Sequence, residues 1–264
     1  MLLIGLIILA VVVLAAAAGP HFIPYDPLQT APEVKLQPPS LDHPMGTDNF
    51  GRDILTRVLY GIRLDLRIAF MVVFAALIVG ILVGTFSGYY GGIVDDVVMR
   101  ITDVMMAFPS FVLAMAITAM LGNTIPNVVV AIAISYMPYF IRLTRGEVLS
   151  ARELGYAEAA RCVGNPEWRI MYIHLLPNCL TPALVQASLA LGWAILDASG
   201  LAFLGLGVRP PTPEGGVLVG EGAKYIVSGE WWTSVFAGAV IVLMVFGFNL
   251  IGDSLRDITA PEER

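Results

Sequence analysis

Long apolar stretches alternate with shorter polar stretches along the whole chain. The first apolar stretch covers residues 2–18 without interruption, which is close to the shortest length that crosses the hydrocarbon core of a bilayer. Five further stretches have the same character. The pattern predicts an all-α polytopic membrane protein with six transmembrane helices, placed at residues 1–19, 68–89, 104–121, 126–143, 181–206 and 234–252.

A polar, proline-rich segment follows the first predicted span and covers residues 20–64. Its prolines exclude a long helix and favour extended chain on the surface. Towards its end, Ile54, Val58 and Ile62 recur at helical spacing. We therefore predict a separate helix over residues 53–67 that lies at the membrane interface before the second span begins.

Prolines and polar residues mark particular predicted spans. Pro109 and Pro138 predict kinks, since a proline within a span is tolerated where neighbouring groups satisfy the freed carbonyl. The fifth span is rich in small residues, which let helices approach closely at the centre of a bundle. It also carries Gln186, Ser188 and Asp197. An acidic residue within a span faces a cavity or a partner by default. We therefore take these three residues as candidates for the transport pathway or a subunit interface. The alternative for Asp197 is a hydrogen-bonded carboxylate with a structural role.

A polar stretch between the fourth and fifth predicted spans covers residues 146–178. Ser150 and Glu153 form an S-x-x-E capping box, which predicts that a helix begins there. Gly164 stands at the predicted end of this helix, where a left-handed backbone favours glycine. The segment therefore begins as a short helix with a sharp end.

Asn165 and Pro166 predict an immediate second start, as the capping residue and the first helical residue. Pro177 is expected to interrupt this second helix. Two short helices with a sharp corner would form a rigid knob, or in the simpler interpretation a surface hairpin that joins two spans. The predicted apolar faces are Tyr156, Ala159, Ala160 and Val163 in the first helix, and Trp168, Met171, Tyr172 and Leu175 in the second.

The composition supports a membrane protein. Hydrophobic residues make up 57% of the 264 positions and charged residues only 14%, against roughly 25% charged residues in soluble proteins. The net charge of −6 is spread along the chain without a basic tract, so nucleic-acid binding is not expected. Cys162 and Cys179 are expected to be reduced packing residues, and the dispersed histidines form no metal-ligand motif.

The loop carries a known signature. Glu158, Ala159 and Ala160, then Gly164 at a fixed offset and the run from Ile173 to Asn178, resemble the EAA loop of importer permeases in the ATP-binding cassette (ABC) superfamily. In that family the loop is the cytoplasmic coupling element, which docks into a cleft on the nucleotide-hydrolysing subunit. The resemblance implies that Glu158, Ala159, Ala160, Gly164, Asn165 and Pro166 couple to the ATPase, with support from Arg161, His174 and Pro177.

A second run also carries the resemblance. His43, Asp48, Arg52 and Asp53 with their neighbours look like the segment before the second span in the dipeptide/oligopeptide branch. Taken singly, these residues are expected to serve turns and helix caps, and pairing with a partner protein is the alternative. The resemblance covers residues 43–258. It implies a type I importer permease core at 65–258, with an external loop after the first span, a coupling loop between spans four and five, and a cytoplasmic tail at 259–264.

The resemblance also implies partners and a mechanism. The partners would be a homologous second permease, two ATPase subunits that bind ATP and magnesium, and an external solute-binding protein, in the cytoplasmic membrane of a bacterium or archaeon. ATP-driven alternating access would carry a di- or oligopeptide, with nickel, glutathione or a sugar as alternative solutes. The chain lacks a Gly-x-x-x-x-Gly-Lys-Ser/Thr phosphate loop, so we expect neither ATP hydrolysis nor a bound cofactor in this subunit.

Two departures from the family pattern lie near Asp197. Relatives commonly have glutamate where this chain has Ala198, and tryptophan where it has Gly215. Family roles for those side chains are therefore not carried over, although Asp197 stands one position from the glutamate.

Other classes of membrane protein are disfavoured. A stand-alone secondary transporter would favour inverted repeats and charged residues in several spans, whereas only Asp197 is clearly within a predicted span. A membrane-embedded enzyme would need a nucleophile–base pair or a metal site, and no histidine lies in a predicted span. The alanines before Gly19 resemble a signal-peptidase site, but an uncleaved anchor is expected because no basic residues precede it.

Overall fold

The computed structural model describes residues 1–259, so residues 260–264 of the predicted tail lie outside the described residues. Within 1–259 there are no β-strands, only an isolated antiparallel bridge between Thr47 and Asp53. The helices, in chain order, are α1 (Leu2–Phe22), α2 (Ile54–Tyr90), α3 (Gly92–Met106), α4 (Ser110–Leu121), α5 (Ile125–Ala151), α6 (Gly155–Cys162), α7 (Glu167–Arg169), α8 (Leu176–Phe203), α9 (Gly215–Ala223) and α10 (Trp232–Thr259).

The long helices match the predicted class. Helices α1, α2, α5 and α10 are each long and apolar enough to cross a membrane, as is the continuous helical segment Glu167–Phe203 that contains α7 and α8. Helices α3 and α4 make a sixth candidate span if they are taken as one bent pair. The prediction of an all-α polytopic membrane protein is confirmed, and the third predicted span falls across two helices, α3 and α4.

The bend between α3 and α4 lies at Pro109. The two helices meet at 89°, and Pro109 itself has an extended backbone with φ −54° and ψ 133°. A proline disfavours the helical conformation of the residue before it and removes a backbone donor. The predicted span at 104–121 is therefore wrong at its start, because residues 104–106 belong to α3. Pro138, in contrast, lies inside the continuous helix α5.

Helix α2 is a single helix of 37 residues. The predicted division into an interfacial helix over 53–67 and a span from residue 68 is therefore wrong. No proline occurs between Ile54 and Tyr90, and Asp53 caps the start by accepting a hydrogen bond from the Thr56 backbone N–H at 2.7 Å. With no breaker between the two predicted parts, the helix continues from the polar end of the molecule into the bundle.

Helices α2 and α5 approach each other closely along a row of glycines. A Cβ atom on Gly80 would lie 2.2 Å from Cβ of Phe140, and one on Gly84 would lie 2.6 Å from the Ile141 carbonyl oxygen. One turn further, a Cβ on Gly88 would lie 2.8 Å from the Arg145 carbonyl oxygen. Small residues allow such backbone contact in membrane bundles, so this glycine row fixes the separation of the two helices.

A buried ionic cluster stands at the N-terminal end of α2. The Glu221 carboxylate of α9 accepts hydrogen bonds at 3.0 Å from both Arg52 and Arg57. Arg52 also donates to Asp48 at 2.6 Å, and the side chain of Arg57 is fully buried. Because buried charges require partners, this cluster attaches α9 to the start of α2.

The polar residues before α2 act within this chain. The His43 ring Nδ1 lies 2.9 Å from the Asp53 carboxylate, and Asp48 accepts hydrogen bonds from the backbone N–H groups of Phe50 and Arg52. The turn and capping interpretation is thus confirmed for Asp48 and Asp53, whereas the side chains of His43 and Arg52 form pairs with carboxylates of this chain.

Candidate functional site: the knob and the Asp197 cavity

The polar loop between α5 and α8 folds as a compact unit. We call residues 152–175 the knob; it contains α6, α7 and a π-helical turn at Ile170–Leu175. Gly164 adopts φ +82° after the end of α6. Its N–H donates to the Arg161 carbonyl at 2.9 Å, and the Asn165 N–H donates to the Ala160 carbonyl at 3.3 Å. These two bonds form a Schellman motif, so the left-handed corner predicted at Gly164 is confirmed.

Two local predictions for the knob are wrong. Ser150 does not start a helix: α5 continues to Ala151, and the Ser150 hydroxyl donates to the Gly146 carbonyl inside it. Asn165 does not cap the next helix, because its side-chain amide donates back to the Ala160 carbonyl at 3.1 Å, and Pro166 takes the capping position. In both cases the polar side chain donates to a carbonyl of the preceding helix and does not cap the following one.

The expected break at Pro177 is also wrong. Pro177 lies in the first turn of α8, directly after the π-helical turn, and the helical segment runs on from Glu167 to Phe203. A proline is tolerated in a first turn because its missing N–H is not needed there. The fifth span therefore continues directly into the knob, with no free linker between them.

The buried face of the knob agrees only in part with the predicted one: Ala160, Met171 and Leu175 are buried as expected. Ala157, Ala160, Ile170, Met171 and Leu175 are buried in a small core with Tyr89, Val148, Ala151 and Cys179. Val163 and Trp168, assigned to the apolar faces, are instead 82% and 59% exposed. Glu158 and Ala159 are exposed as well. The knob therefore presents a surface with both apolar and charged side chains away from the helices.

Tyr89 anchors the knob to the end of α2. Its hydroxyl donates to the Glu167 carboxylate, and the Arg161 guanidinium lies over its ring, 5.8 Å from the centroid. Arg152 donates to the last carbonyls of α2, at 3.0 Å from Gly88 O and 3.2 Å from Tyr89 O. A cation at a helix C-terminus is favourable, so the knob is attached to α2 as well as to α5 and α8.

A second charged contact lies beside this anchor. Arg145 of α5 forms a bidentate ion pair with Asp95 of α3, and the Ser87 hydroxyl of α2 donates to the same carboxylate. Bidentate arginine–carboxylate pairs have a defined geometry. The ends of α2, α3 and α5 are thus joined next to the knob.

The remaining loop candidates have distinct positions. His174 lies in the π-helical turn, and its Nε2 is buried without a hydrogen-bond partner among the described residues. Pro177 is exposed. Arg161 makes the contact with Tyr89 given above. Of the three residues predicted to support the loop, Arg161 has a defined contact that holds the knob against another helix.

A cavity of 540 Å³ lies between the α3–α4 bend, α5 and α8. Asp197 and Gln186 line it, whereas Ser188 lies outside. The Ser188 hydroxyl donates to the Val185 carbonyl at 2.6 Å within its own helix. The Tyr136 hydroxyl donates to the Asp197 carboxylate at 2.9 Å. Two of the three residues predicted for the pathway or a subunit interface therefore share one cavity, and Ser188 does not line it.

Asp65 and Glu214 form a second buried acidic site that the sequence interpretation missed. Asp65 was assigned to the interfacial helix, yet it is buried in the long helix α2 and accepts from the Gly215 N–H at 3.2 Å. Glu214 caps α9 through the Val217 N–H at 2.8 Å and accepts from the Ser199 hydroxyl. Burial raises the pKa of the Glu214 carboxyl, because desolvation disfavours its charged form. The absence of a helix breaker after residue 53 was the signal that could have placed Asp65 inside the bundle.

Gly215 fits closely beside this acidic pair. A Cβ at this position would lie 2.7 Å from Oδ2 of Asp65, so the site leaves no space for the tryptophan that the family resemblance places here.

Two family models match the chain. The first is described as "Binding-protein-dependent transport system inner membrane component" and matches residues 80–264. The second, the N-terminal TM domain of oligopeptide transport permease C, matches residues 1–39. The first match alone covers more than half of the sequence.

Similar full-length proteins agree with the family models. The dipeptide transport system permease protein DppC of Alkalihalophilus pseudofirmus is 45% identical over 98% of this chain and 85% of its own length. DppC of Escherichia coli K12 is 43% identical, with coverage of 98% and 88%. The di/tripeptide transport system permease protein DppC of Pseudomonas aeruginosa is 41% identical, with coverage of 98% and 87%.

A solved structure shows the same fold. It is described as inward-facing conformations of the MetNI methionine ABC transporter, and the match covers 77% of this chain and 97% of that chain, with a TM-score of 0.58 and 21% identity. At that identity the likeness concerns the fold alone, and it agrees with the predicted importer-permease architecture. The chain belongs to the family of inner membrane components of binding-protein-dependent transport systems.

Proposed function

We propose that this chain is one permease subunit of an ATP-driven importer of di- and oligopeptides. The relatives named for dipeptide transport support the cargo. A homologous second permease, two ATPase subunits that hold ATP and magnesium, and an external solute-binding protein complete the complex. It lies in the cytoplasmic membrane of a bacterium or archaeon, and this subunit forms half of the pathway without hydrolysing ATP itself.

The observation that carries the coupling role is the structure of the knob. Glu158, Ala159, Gly164 and Pro166 are exposed, while the opposite side of the knob is packed on α2, α5 and α8. A rigid projection with a free mixed surface is suited to bind a partner and to transmit its movement to the spans. In the proposed cycle, closure of the ATPase dimer displaces the knob, and the spans change between outward-open and inward-open states.

The test is ATP-driven uptake of the dipeptide Ala-Ala by the complete complex in proteoliposomes. Glu158→Lys reverses a charge on the exposed face of the knob, and we expect loss of uptake while the subunits still copurify. Glu33→Lys makes the same change on an exposed residue of the external segment and serves as the matched control. Normal uptake by Glu158→Lys would refute the coupling role. Transport by this chain without ATPase subunits would instead favour a secondary transporter.

A further inference from the structure

The cavity at Asp197 combines one carboxylate with an aromatic wall. Phe108, Phe111, Tyr136, Tyr139 and Trp193 all line it. Its volume of 540 Å³ lies within the range of about 300–1,000 Å³ that is typical of small-molecule sites. The lining is thus rich in π-faces and contains a single acidic group.

Asp197 differs in its partners from two ion-paired carboxylates of the helical bundle. Asp95 pairs with Arg145, and Asp103 pairs with Arg142. Within residues 1–259, no Lys, Arg or His nitrogen lies within 4.0 Å of the Asp197 carboxylate. Its hydrogen bond in this part of the chain comes from the neutral Tyr136 hydroxyl. A carboxylate in apolar surroundings is costly without a cation.

The side chains that surround Asp197 are suited to a ligand cation. The faces of tryptophan, tyrosine and phenylalanine attract ammonium groups through the ring quadrupole, and this attraction grows when water is excluded. Gln186 also lines the cavity, but it stands about three helical turns from Asp197 on α8 and is too far away to contact the same group. A carboxylate and several aromatic faces together would select a primary ammonium group over a neutral or anionic group.

We propose that the Asp197 cavity binds the α-ammonium group of the transported peptide as it passes through the permease. This inference rests on the proposed peptide transport and adds the part of the peptide that this subunit recognises. Every peptide with a free N-terminus carries the α-ammonium group, so such a site would recognise cargo without regard to its side chains. The Asp197 carboxylate supplies the opposite charge, and Trp193 and the tyrosines contact the group from the sides.

The experiment compares a ligand that carries the α-ammonium charge with one in which acetylation removes that charge. The complete complex in lipid nanodiscs, without nucleotide or binding protein, is titrated with radiolabelled Ala-Ala into the millimolar range, and N-acetyl-Ala-Ala is used as the competitor. We expect the wild-type complex to prefer Ala-Ala by about tenfold. Asp197→Asn should bind both ligands equally, and Asp197→Glu should keep the preference. Asp253→Asn, an exposed carboxylate on α10, is the matched control and should behave as wild type.

Several outcomes would overturn the proposal. It fails if Asp197→Asn keeps the wild-type preference, or if the wild-type complex binds neither ligand or both equally. Dissociation of the second permease in Asp197→Asn would show instead that the carboxylate pairs with a basic group of that subunit. These failures are distinct from failure of the proposed function, in which the wild-type complex does not import Ala-Ala in proteoliposomes at all.

Discussion

The Tyr89 hydroxyl at the end of α2 donates a hydrogen bond to the Glu167 carboxylate in the knob, across 78 positions of the chain. The knob is therefore bound to a helix to which it is not directly connected. Because α2 is also packed backbone to backbone against α5, a displacement of the knob in the proposed cycle would act on two spans together.

The first prediction concerns this contact. Tyr89→Phe removes the donor and keeps the ring, so the free energy of unfolding should fall by only ~1 kcal/mol. We also expect the variant to hydrolyse more ATP for each peptide imported. Both quantities can be measured on the purified complex, by thermal unfolding and in proteoliposomes. Tyr90→Phe is the matched control, because Tyr90 is half exposed and its hydroxyl makes no hydrogen bond within residues 1–259. If both variants hydrolyse the same amount of ATP per peptide imported, Tyr89 does not help to transmit movement of the knob to α2.

The second prediction concerns the corner of the knob. Gly164 has φ +82°, and a Cβ there would meet nothing within 4 Å, so any cost of substitution comes from the backbone alone. Gly164→Ala should destabilise the knob by about 1–2 kcal/mol and slow peptide uptake. Gly164→Asn should be milder, because asparagine tolerates the left-handed conformation.

The control for the corner is Gly155→Ala. Gly155 also has open space around it, but its φ lies outside the left-handed region. Local unfolding of the knob can be followed by hydrogen exchange of residues 155–175. If Gly155→Ala and Gly164→Ala have the same effect, the corner has no special importance.

The third prediction concerns the contact of α2 with α5. Gly80→Ala places a methyl group 2.2 Å from Cβ of Phe140, so the helices must separate. The expected loss is about 1–3 kcal/mol of unfolding free energy, measured by thermal unfolding in detergent. Gly146→Ala adds the same group to α5 where nothing lies within 4 Å and should have little effect. An unchanged unfolding temperature for Gly80→Ala would mean that the two helices do not approach as closely as described.

The fourth prediction concerns the cluster that holds α9. Glu221→Gln leaves the buried Arg52 and Arg57 without their shared carboxylate, and we expect a loss of ~3 kcal/mol, since removing one partner strands a buried charge. Proteolysis between residues 215 and 231 should become faster. Glu33→Gln, on an exposed residue, should change neither quantity. Similar proteolysis of the two variants would show that the cluster does not hold α9 in place.

Some features follow from the sequence alone because their causes are local. A bilayer requires long apolar helices with satisfied backbones, so the apolar stretches determined the class of the protein and the approximate positions of the spans. The left-handed turn at Gly164 depends on a single residue and was predicted correctly. The EAA-like run identified the knob as the coupling candidate before any contact was known.

The tertiary structure decided the features that depend on contacts between distant residues. The sequence does not show that Tyr136 reaches Asp197, 61 positions away, or that Asp65 meets Gly215, 150 positions away. Nor does it show which face of the knob is buried. Ala157 and Val163 are both apolar residues at or near α6, yet Ala157 is buried in the core and Val163 is exposed. Local propensity determined the helices, whereas packing between them placed Asp197 in an aromatic cavity and fixed the knob to the end of α2.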